Sequence, residues 1–145
     1  MGPVECQVSE DDEGDASVWF FEIDQGTGIT MHWRYTLPSD RAELRLEVRC
    51  FNRSLAAVPY DPAVSVPLEG LSVVLHGRAA GVYSVERRAG VFLWSPVDPL
   101  DSADAGLHVS RFSTPGNQLA PRQLDVWQLL IQPVSGLNSV DAISL

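Results

Sequence analysis

The chain has 145 residues, of which 45% are hydrophobic and 20% are charged, and its formal net charge at pH 7 is −9. This length fits a single domain with a core of its own. The excess of acid argues against a nucleic-acid partner, which requires a basic face, and against direct electrostatic binding to an anionic membrane, so that any membrane contact would be indirect.

The N-terminal segment carries two thirds of this net charge. Residues 1–15 contain six acids and no base. Low hydrophobicity combined with high charge is typical of disordered segments, so a disordered acidic tail is predicted over 1–15. Ser9 precedes four consecutive acids, a pattern that acidophilic kinases use, and is therefore a candidate phosphorylation site. A tail that only increases solubility is the simpler interpretation.

The two segments that follow have the pattern of a β-hairpin. Residues 18–23 form an apolar run rich in aromatic residues, and residues 29–35 alternate apolar with polar side chains. A period of two is the pattern of a strand with one apolar face. The glycine-containing residues 25–28 predict a short turn between them.

Residues 43–49 have the clearest strand pattern of the chain. Leu44, Leu46 and Val48 face one side, and four charges of alternating sign face the other. Charges arranged in this way can pair across strands, and each pair contributes about 0.2–1 kcal/mol.

The remaining chain predicts further short strands separated by loops rich in proline and glycine. Residues 52–70 are irregular apart from an edge strand, and residues 82–94 form a hairpin around Arg87-Arg88. The predicted strands are 63–66, 71–75, 82–86, 90–94, 107–112 and 124–132, and the predicted loops are 96–105 and 113–122.

These elements add up to about eight to ten short strands, and no segment has the pattern of an amphipathic helix. The prediction is an all-β fold, a single antiparallel β-sandwich of jelly-roll-like type. The predicted organisation is a disordered tail over 1–15, the sandwich over 16–134, and a C-terminal tail or edge strand over 135–145.

The sequence predicts no catalytic, cofactor-binding or metal-binding residues. The three histidines are far apart and have no zinc-site spacing, and no serine lies in a nucleophile elbow. Three aspartates share the loop 96–105, and the simpler interpretation is that they are exposed to solvent rather than part of a site. The histidines are His32, His76 and His108, and the aspartates are Asp98, Asp101 and Asp104.

Two cysteines, Cys6 and Cys50, are too few for a disulfide scaffold. The sequence has no signal-peptide pattern and no apolar run of membrane-spanning length. Free thiols in a reducing compartment and a cytoplasmic location are therefore expected.

Two features point to binding of protein partners. Phe20 and Ile23, an aromatic and an aliphatic residue three positions apart behind an acidic run, form a candidate linear motif of the kind that adds a strand to a ubiquitin-like protein. The simpler interpretation is a buried strand of the domain itself. An exposed tryptophan beside an arginine would be a second candidate, since both residues are enriched at interaction hot spots.

Three segments resemble the GOLD (Golgi dynamics) domain. Residues 17–24 with 29–31 are similar to its opening Trp-x-Phe strand and alternating second strand, and residues 105–112 and 124–132 resemble its later strands. Ser113-Thr114 replaces the usual Asp-Asn, and Leu107 replaces an aromatic residue. The resemblance covers about 16–133 and implies a non-catalytic β-sandwich that contacts proteins or lipids in membrane trafficking.

A fainter similarity links residues 77–80, 89–92 and 127–130 to the motif order of the dUTPase family. The catalytic Asp and Tyr and the glycine-rich C-terminal motif of that family are missing. This resemblance would imply a catalytically dead relative, viral in one interpretation. The function predicted from the sequence is therefore a non-catalytic protein-interaction module, an adaptor or complex subunit, with a degenerate dUTPase-like domain as the alternative.

Overall fold

The computed structural model describes residues 5–61, 63–65, 71–103, 106–109 and 115–136. Within these residues the fold is all-β and antiparallel, with one 3₁₀ turn at Pro115–Asn117 and no α-helix, so the predicted fold class is confirmed. The strands are β1 Glu5–Glu10, β2 Ala16–Ile23, β3 Ile29–Leu37, β4 Leu44–Asn52, β5 Val58–Pro59, β6 Ala63–Ser65, β7 Ser72–His76, β8 Ala79–Ser84, β9 Ala89–Trp94, β10 Leu100–Ala103, β11 Gly106–Val109, β12 Gln118–Leu119 and β13 Leu124–Ser135.

The chain divides into two compact units. The first comprises Met1–Asp61 and Phe112–Gln128, and the second comprises Pro62–Arg111 and Leu129–Leu145. Strand β13 contributes to both units. The predicted single sandwich over 16–134 stays a prediction.

The first unit is built on a meander of four strands. Each of β1, β2 and β3 pairs antiparallel with the next strand, and β13 follows β4 in the order of hydrogen-bonded neighbours. The turn predicted at 25–28 is confirmed. The carboxylate of Asp24 accepts hydrogen bonds from the Thr27 hydroxyl at 2.6 Å and from the Gly26 N–H at 3.0 Å, which hold the pKa of that carboxyl below its ordinary value.

The core of the first unit lies on one face of this meander. Leu46, Val48 and Cys50 alternate along β4 and are buried, as the period of two predicts. The short pair β5–β12 contributes two further buried apolar residues of this unit, Val58 and Leu119, which lie opposite each other in the register. Burial of alternate side chains explains why the other face of β4 carries the charges.

The second unit contains the antiparallel neighbours β7, β8 and β9, with β13 beside β9, and a separate three-stranded sheet in the order β10-β11-β6. All six residues of β8 are buried. Tyr83 is fully buried and lies opposite Gly90 in the register. A side chain at Gly90 would overlap the β8 backbone and the Tyr83 ring, so glycine permits this close approach.

The large sheet has the order β1-β2-β3-β4-β13-β9-β8-β7. Consecutive strands are neighbours over most of it.

The prediction of a disordered N-terminal tail is wrong for residues 5–15. Glu5–Glu10 form β1, and the Asp11 carboxylate closes the turn to β2 by accepting hydrogen bonds from the N–H groups of Glu13 at 2.9 Å and Asp15 at 3.0 Å. A high average charge does not prevent order here, because backbone pairing with β2 and a side-chain-capped turn hold the segment.

Three other predictions need correction. The strand predicted at 82–86 is Ala79–Ser84, and part of the predicted loop 96–105 forms β10. The charges of β4 and its preceding residue pair along one strand rather than across strands, as Arg45 with Glu43 at 3.0 Å and Arg49 with Glu47 at 2.8 Å. Residues i and i+2 share a face of a strand, so this pairing needs no neighbouring strand.

Candidate protein-interaction surface

Strand β1 lies at one end of the large sheet. Its one hydrogen-bonded neighbour in the described part of the chain is β2. Backbone groups of successive residues in an antiparallel strand point to opposite sides, so every second residue of Glu5–Glu10 presents its N–H and C=O to the open side. All six side chains of β1 are exposed. An open edge of this kind can accept a strand from another chain.

The register of β1, β2 and β3 places two rows of side chains on one face, which we call the groove face. Residues directly opposite each other in neighbouring strands share a face. The first row contains Glu5, Phe21 and His32. The second row contains Gln7, Trp19 and Arg34.

A shallow groove of about 870 Å³ runs beside β1. On the groove face its lining offers aromatic rings, an imidazole, a carboxylate and an amide, and the lining contains no arginine or lysine. The Phe21 and His32 rings are in contact, with centroids 4.6 Å apart. The lining residues are Glu5, Cys6, Gln7, Trp19, Phe20, Phe21 and His32.

Arg34 lies at the inner end of the second row, stacked on Trp19. Its guanidinium carbon is 4.7 Å from the centre of the indole ring. The Arg34 Nε atom is buried and has no hydrogen-bond partner among the described residues. Glu47 lies opposite Arg34 on β4, but its two carboxylate oxygens accept hydrogen bonds from Arg49 at 2.8 Å and from Gln128 at 3.0 Å. The aromatic ring therefore orients this arginine, rather than a carboxylate.

The opposite face of the same strands is apolar. Phe20 stacks on Trp33 with ring centroids 5.7 Å apart and meets Tyr35 edge-on at 6.2 Å. These three rings are half-buried, and Val8 of β1 is 73% exposed beside them. Strand β1 therefore presents different chemistry on its two faces, polar towards the groove and apolar on the other side.

A buried polar cluster lies inside the first unit and is separate from this surface. The Tyr60 hydroxyl donates to Asp125 Oδ2 at 2.8 Å, and the Cys50 thiol lies close to this hydroxyl. Burial raises the pKa of Cys50 and, more strongly, the pKa of Tyr60. Both groups therefore hold their protons, and the Cys50 thiol is the opposite of an activated nucleophile.

Ser9, the candidate phosphorylation site, lies in β1 opposite Ser17 and is exposed. The four acids after it begin in β1 and continue into the turn. Phosphorylation of Ser9 stays a prediction.

The linear-motif interpretation of Phe20 and Ile23 does not agree with the fold. Phe20 pairs with Cys6 on one side and with Trp33 on the other. A segment that docks by strand addition needs free backbone groups, and both sides of β2 are occupied at Phe20. The simpler interpretation, a strand of the domain, describes what the structure shows.

The other singled-out residues are dispersed. His32 is exposed on the groove face, His76 is exposed at the end of β7, and the His108 side chain lies outside the described residues. Among the described residues no group of three or more His, Cys, Asp or Glu side chains could hold a metal ion. Trp19 beside Arg34 matches the predicted combination of tryptophan and arginine, although Trp19 is half-buried.

The expectation of a solvated loop is wrong for Asp98. This residue is 3% exposed, and its N–H donates to the Ser95 hydroxyl at 3.0 Å. Asp101 is exposed in β10, and Asp104 lies outside the described residues. The turn that buries Asp98 depends on contacts with the β7–β8 connection, where Leu100 N–H donates to the Gly77 carbonyl.

Both cysteines are free, as predicted, with Cys6 exposed and Cys50 buried. In the described part of the chain no helix is long and apolar enough to cross a membrane.

The sequence does not predict β1, because the high average charge of residues 1–15 indicates disorder for the whole segment. Two local signals favour a hairpin instead. Cys6 and Val8 alternate with Gln7 and Ser9, and Gly14 lies in the acidic turn, where its φ of 85° is a conformation that favours glycine.

No protein-family model and no curated protein matches the chain. Solved structures do resemble it. A TPR-domain containing protein from Parabacteroides distasonis ATCC 8503 matches 99% of this chain with a TM-score of 0.67 and 12% identity. The Slr1438 protein from Synechocystis sp. PCC 6803 matches 92% of it with a TM-score of 0.53 and 13% identity.

The chain spans 36% of the first of these proteins and 66% of the second. At this identity the likeness concerns the fold alone, and the GOLD and dUTPase resemblances stay predictions. The chain is therefore similar in fold to portions of longer proteins, and its candidate site is the open, fully exposed edge strand β1.

Proposed function

We propose that the chain is a non-catalytic protein-interaction module, an adaptor or complex subunit, that binds its partner by strand addition to β1. The observation that carries this proposal is the open edge of Glu5–Glu10, where every side chain is exposed and alternate backbone groups have no strand neighbour among the described residues. Backbone hydrogen bonds supply affinity in this binding mode, and side-chain pockets beside the edge supply specificity.

Strand β7, at the other end of the sheet, is the weaker candidate. Strand β10 contacts it, and two of its five residues are half-buried. The groove lies beside β1, and the Trp19–Arg34 stack on the same face supplies two residue types that are enriched in interaction hot spots. A cytoplasmic location and a role in membrane trafficking belong to the same proposal and depend on the sequence and its GOLD resemblance.

Proline substitution along β1 tests this proposal on the full chain. Gln7 and Val8 are adjacent, so their N–H groups point to opposite sides of β1. One of Gln7→Pro and Val8→Pro therefore removes a bond to β2, and the other removes a donor on the open side. Melting temperatures identify which variant is which, because the open-side variant keeps its stability.

Partners are then captured from cell extract on the tagged full chain and identified by mass spectrometry. We expect the stable β1 variant to lose specific partners, whereas the stable member of the matched pair Val73→Pro and Val74→Pro in β7 keeps them. An unchanged partner set in the stable β1 variant would refute strand addition at this edge. Measurable hydrolysis of dUTP by the purified chain would overturn the non-catalytic part of the proposal.

A further inference from the structure

The hairpin formed by β1 and β2 is strongly acidic. Residues 5–23 contain seven acids and no arginine or lysine, and the first arginine of the chain is Arg34. Charges on an edge strand commonly oppose unwanted pairing. Here they also restrict which partner strand can be accepted.

A second copy of this chain is a poor occupant of the edge. Pairing of Glu5–Glu10 with the same strand of a second copy would place side by side two hairpins that each carry seven acids and no arginine or lysine. Repulsion between these like charges disfavours such a pair. A partner strand with basic side chains would instead meet an opposite charge.

The groove has the composition of a site for a cation. Its first row places the carboxylate of Glu5 beside the rings of Phe21 and His32. A carboxylate and an aromatic face both attract a guanidinium or ammonium group. Each row also contains an arginine, Arg34 on β3 in the second row and Arg49 on β4 in the first. Arg34 lies two strands inward from the open edge, and Arg49 lies three strands inward and is paired with Glu47, so the Glu5 end of the first row is the better place for a positive charge.

We infer that the partner strand is basic, and that one of its arginine or lysine side chains enters the groove against Glu5 and Phe21. This inference rests on the proposed strand addition and specifies its partner class. Because β1 presents Glu5 and Gln7 on the groove face and Cys6 and Val8 on the apolar face, the partner strand alternates cationic with apolar side chains.

Synthetic peptides test this partner class. The probe is a seven-residue peptide in which arginine alternates with valine, and its control carries citrulline, a neutral analogue of arginine, at the same positions. Cys6 provides the readout, because it lies in the edge strand itself, on the face opposite Glu5, and is exposed, while Cys50 is buried. Occupation of the edge slows alkylation of Cys6 in the native full chain, and the dependence on peptide concentration gives the affinity.

We expect the citrulline peptide to bind at least about tenfold more weakly than the arginine peptide, in line with the loss of a charge-assisted contact. Glu5→Gln reduces the affinity for the arginine peptide by a similar factor and leaves the citrulline peptide unchanged. Glu86→Gln, at an exposed acid in the β8–β9 turn, is the matched control and changes neither affinity.

Equal affinities of the two peptides, or no effect of Glu5→Gln, would overturn the inference and leave strand addition itself intact. Failure of both peptides to protect Cys6 up to millimolar concentration also overturns it. The proline variants of β1 decide separately whether the proposed function fails.

Discussion

Asn52 at the end of β4 ties three segments of the first unit together, and its replacement by alanine should destabilise the fold. The residue is fully buried. Its Nδ2 group donates to the carbonyl oxygens of Ala56 at 2.8 Å, Leu119 at 2.9 Å and Ala120 at 3.1 Å. Its Oδ1 atom accepts from the N–H of Ser54 at 2.9 Å and from the hydroxyl of Ser54 at 2.7 Å.

The cost follows from counting these bonds. An amide has two N–H donors and one acceptor oxygen, so the two hydrogens are shared among three carbonyls and up to four bonds are made at full strength. At about 1 kcal/mol of net stabilisation for each hydrogen bond, Asn52→Ala should lower the free energy of unfolding by about 2–4 kcal/mol. A domain is stable by only about 5–15 kcal/mol in total, so this loss is a large fraction.

Urea unfolding followed by tryptophan fluorescence measures the change as a lower midpoint with an unchanged slope. Asn52→Asp keeps the oxygen acceptor but directs a carboxylate at three carbonyl oxygens, so it should cost at least as much at neutral pH. Gln128→Ala is the control, since Gln128 is exposed and its side chain makes one described hydrogen bond, to Glu47. A free energy of unfolding for Asn52→Ala within about 0.5 kcal/mol of wild type would refute the assigned role.

Three further predictions concern other parts of the chain. Gly90→Ala should lower the free energy of unfolding in urea by about 1–3 kcal/mol or more, because the new methyl group overlaps the β8 backbone. Gly26→Ala, in an exposed turn, should be nearly neutral, and equal effects of the two substitutions would contradict this account. Burial raises the folded-state pKa values of Cys50 and Tyr60, so above about pH 9 only the unfolded state ionises, and the contribution of these groups to stability, fully present below that pH, is lost as the pH rises. Tyr60→Phe should therefore make the alkaline decline in the free energy of unfolding shallower. An unchanged decline would count against burial as its cause. One thiol per chain, Cys6, should react rapidly with a maleimide under native conditions and two should react in urea, and rapid reaction of both native thiols would disprove the burial of Cys50.

Period-two alternation made much of the first unit predictable. The strands at residues 29–35 and 43–49 were identified with their faces, and Leu46 and Val48 are indeed buried. A strand imposes this period on its own side chains wherever its partners lie. The acidic strand β1 was not predicted, because the high average charge of residues 1–15 outweighed the short alternation of Cys6 and Val8 with Gln7 and Ser9.

The candidate surface was only partly predictable. The combination of a tryptophan with an arginine was anticipated in general terms, but Trp19 and Arg34 are separated by fifteen positions, and the β2–β3 register brings them together. The docking motif at Phe20 and Ile23 was not supported, because the composition of a segment does not reveal whether its backbone is already paired on both sides.

The sequence by itself determined the fold class, the turn at 25–28 and the alternation along the strands, because backbone geometry ties these features to neighbouring residues. Tertiary structure decided which strand lies at the open edge, the insertion of β13 beside β4, and the burial of Asn52 and Asp98. These features depend on contacts between residues far apart in the chain, such as the 67 positions between Asn52 and Leu119. Pairing and burial of that kind are properties of the whole assembly of strands, and no local pattern specifies them.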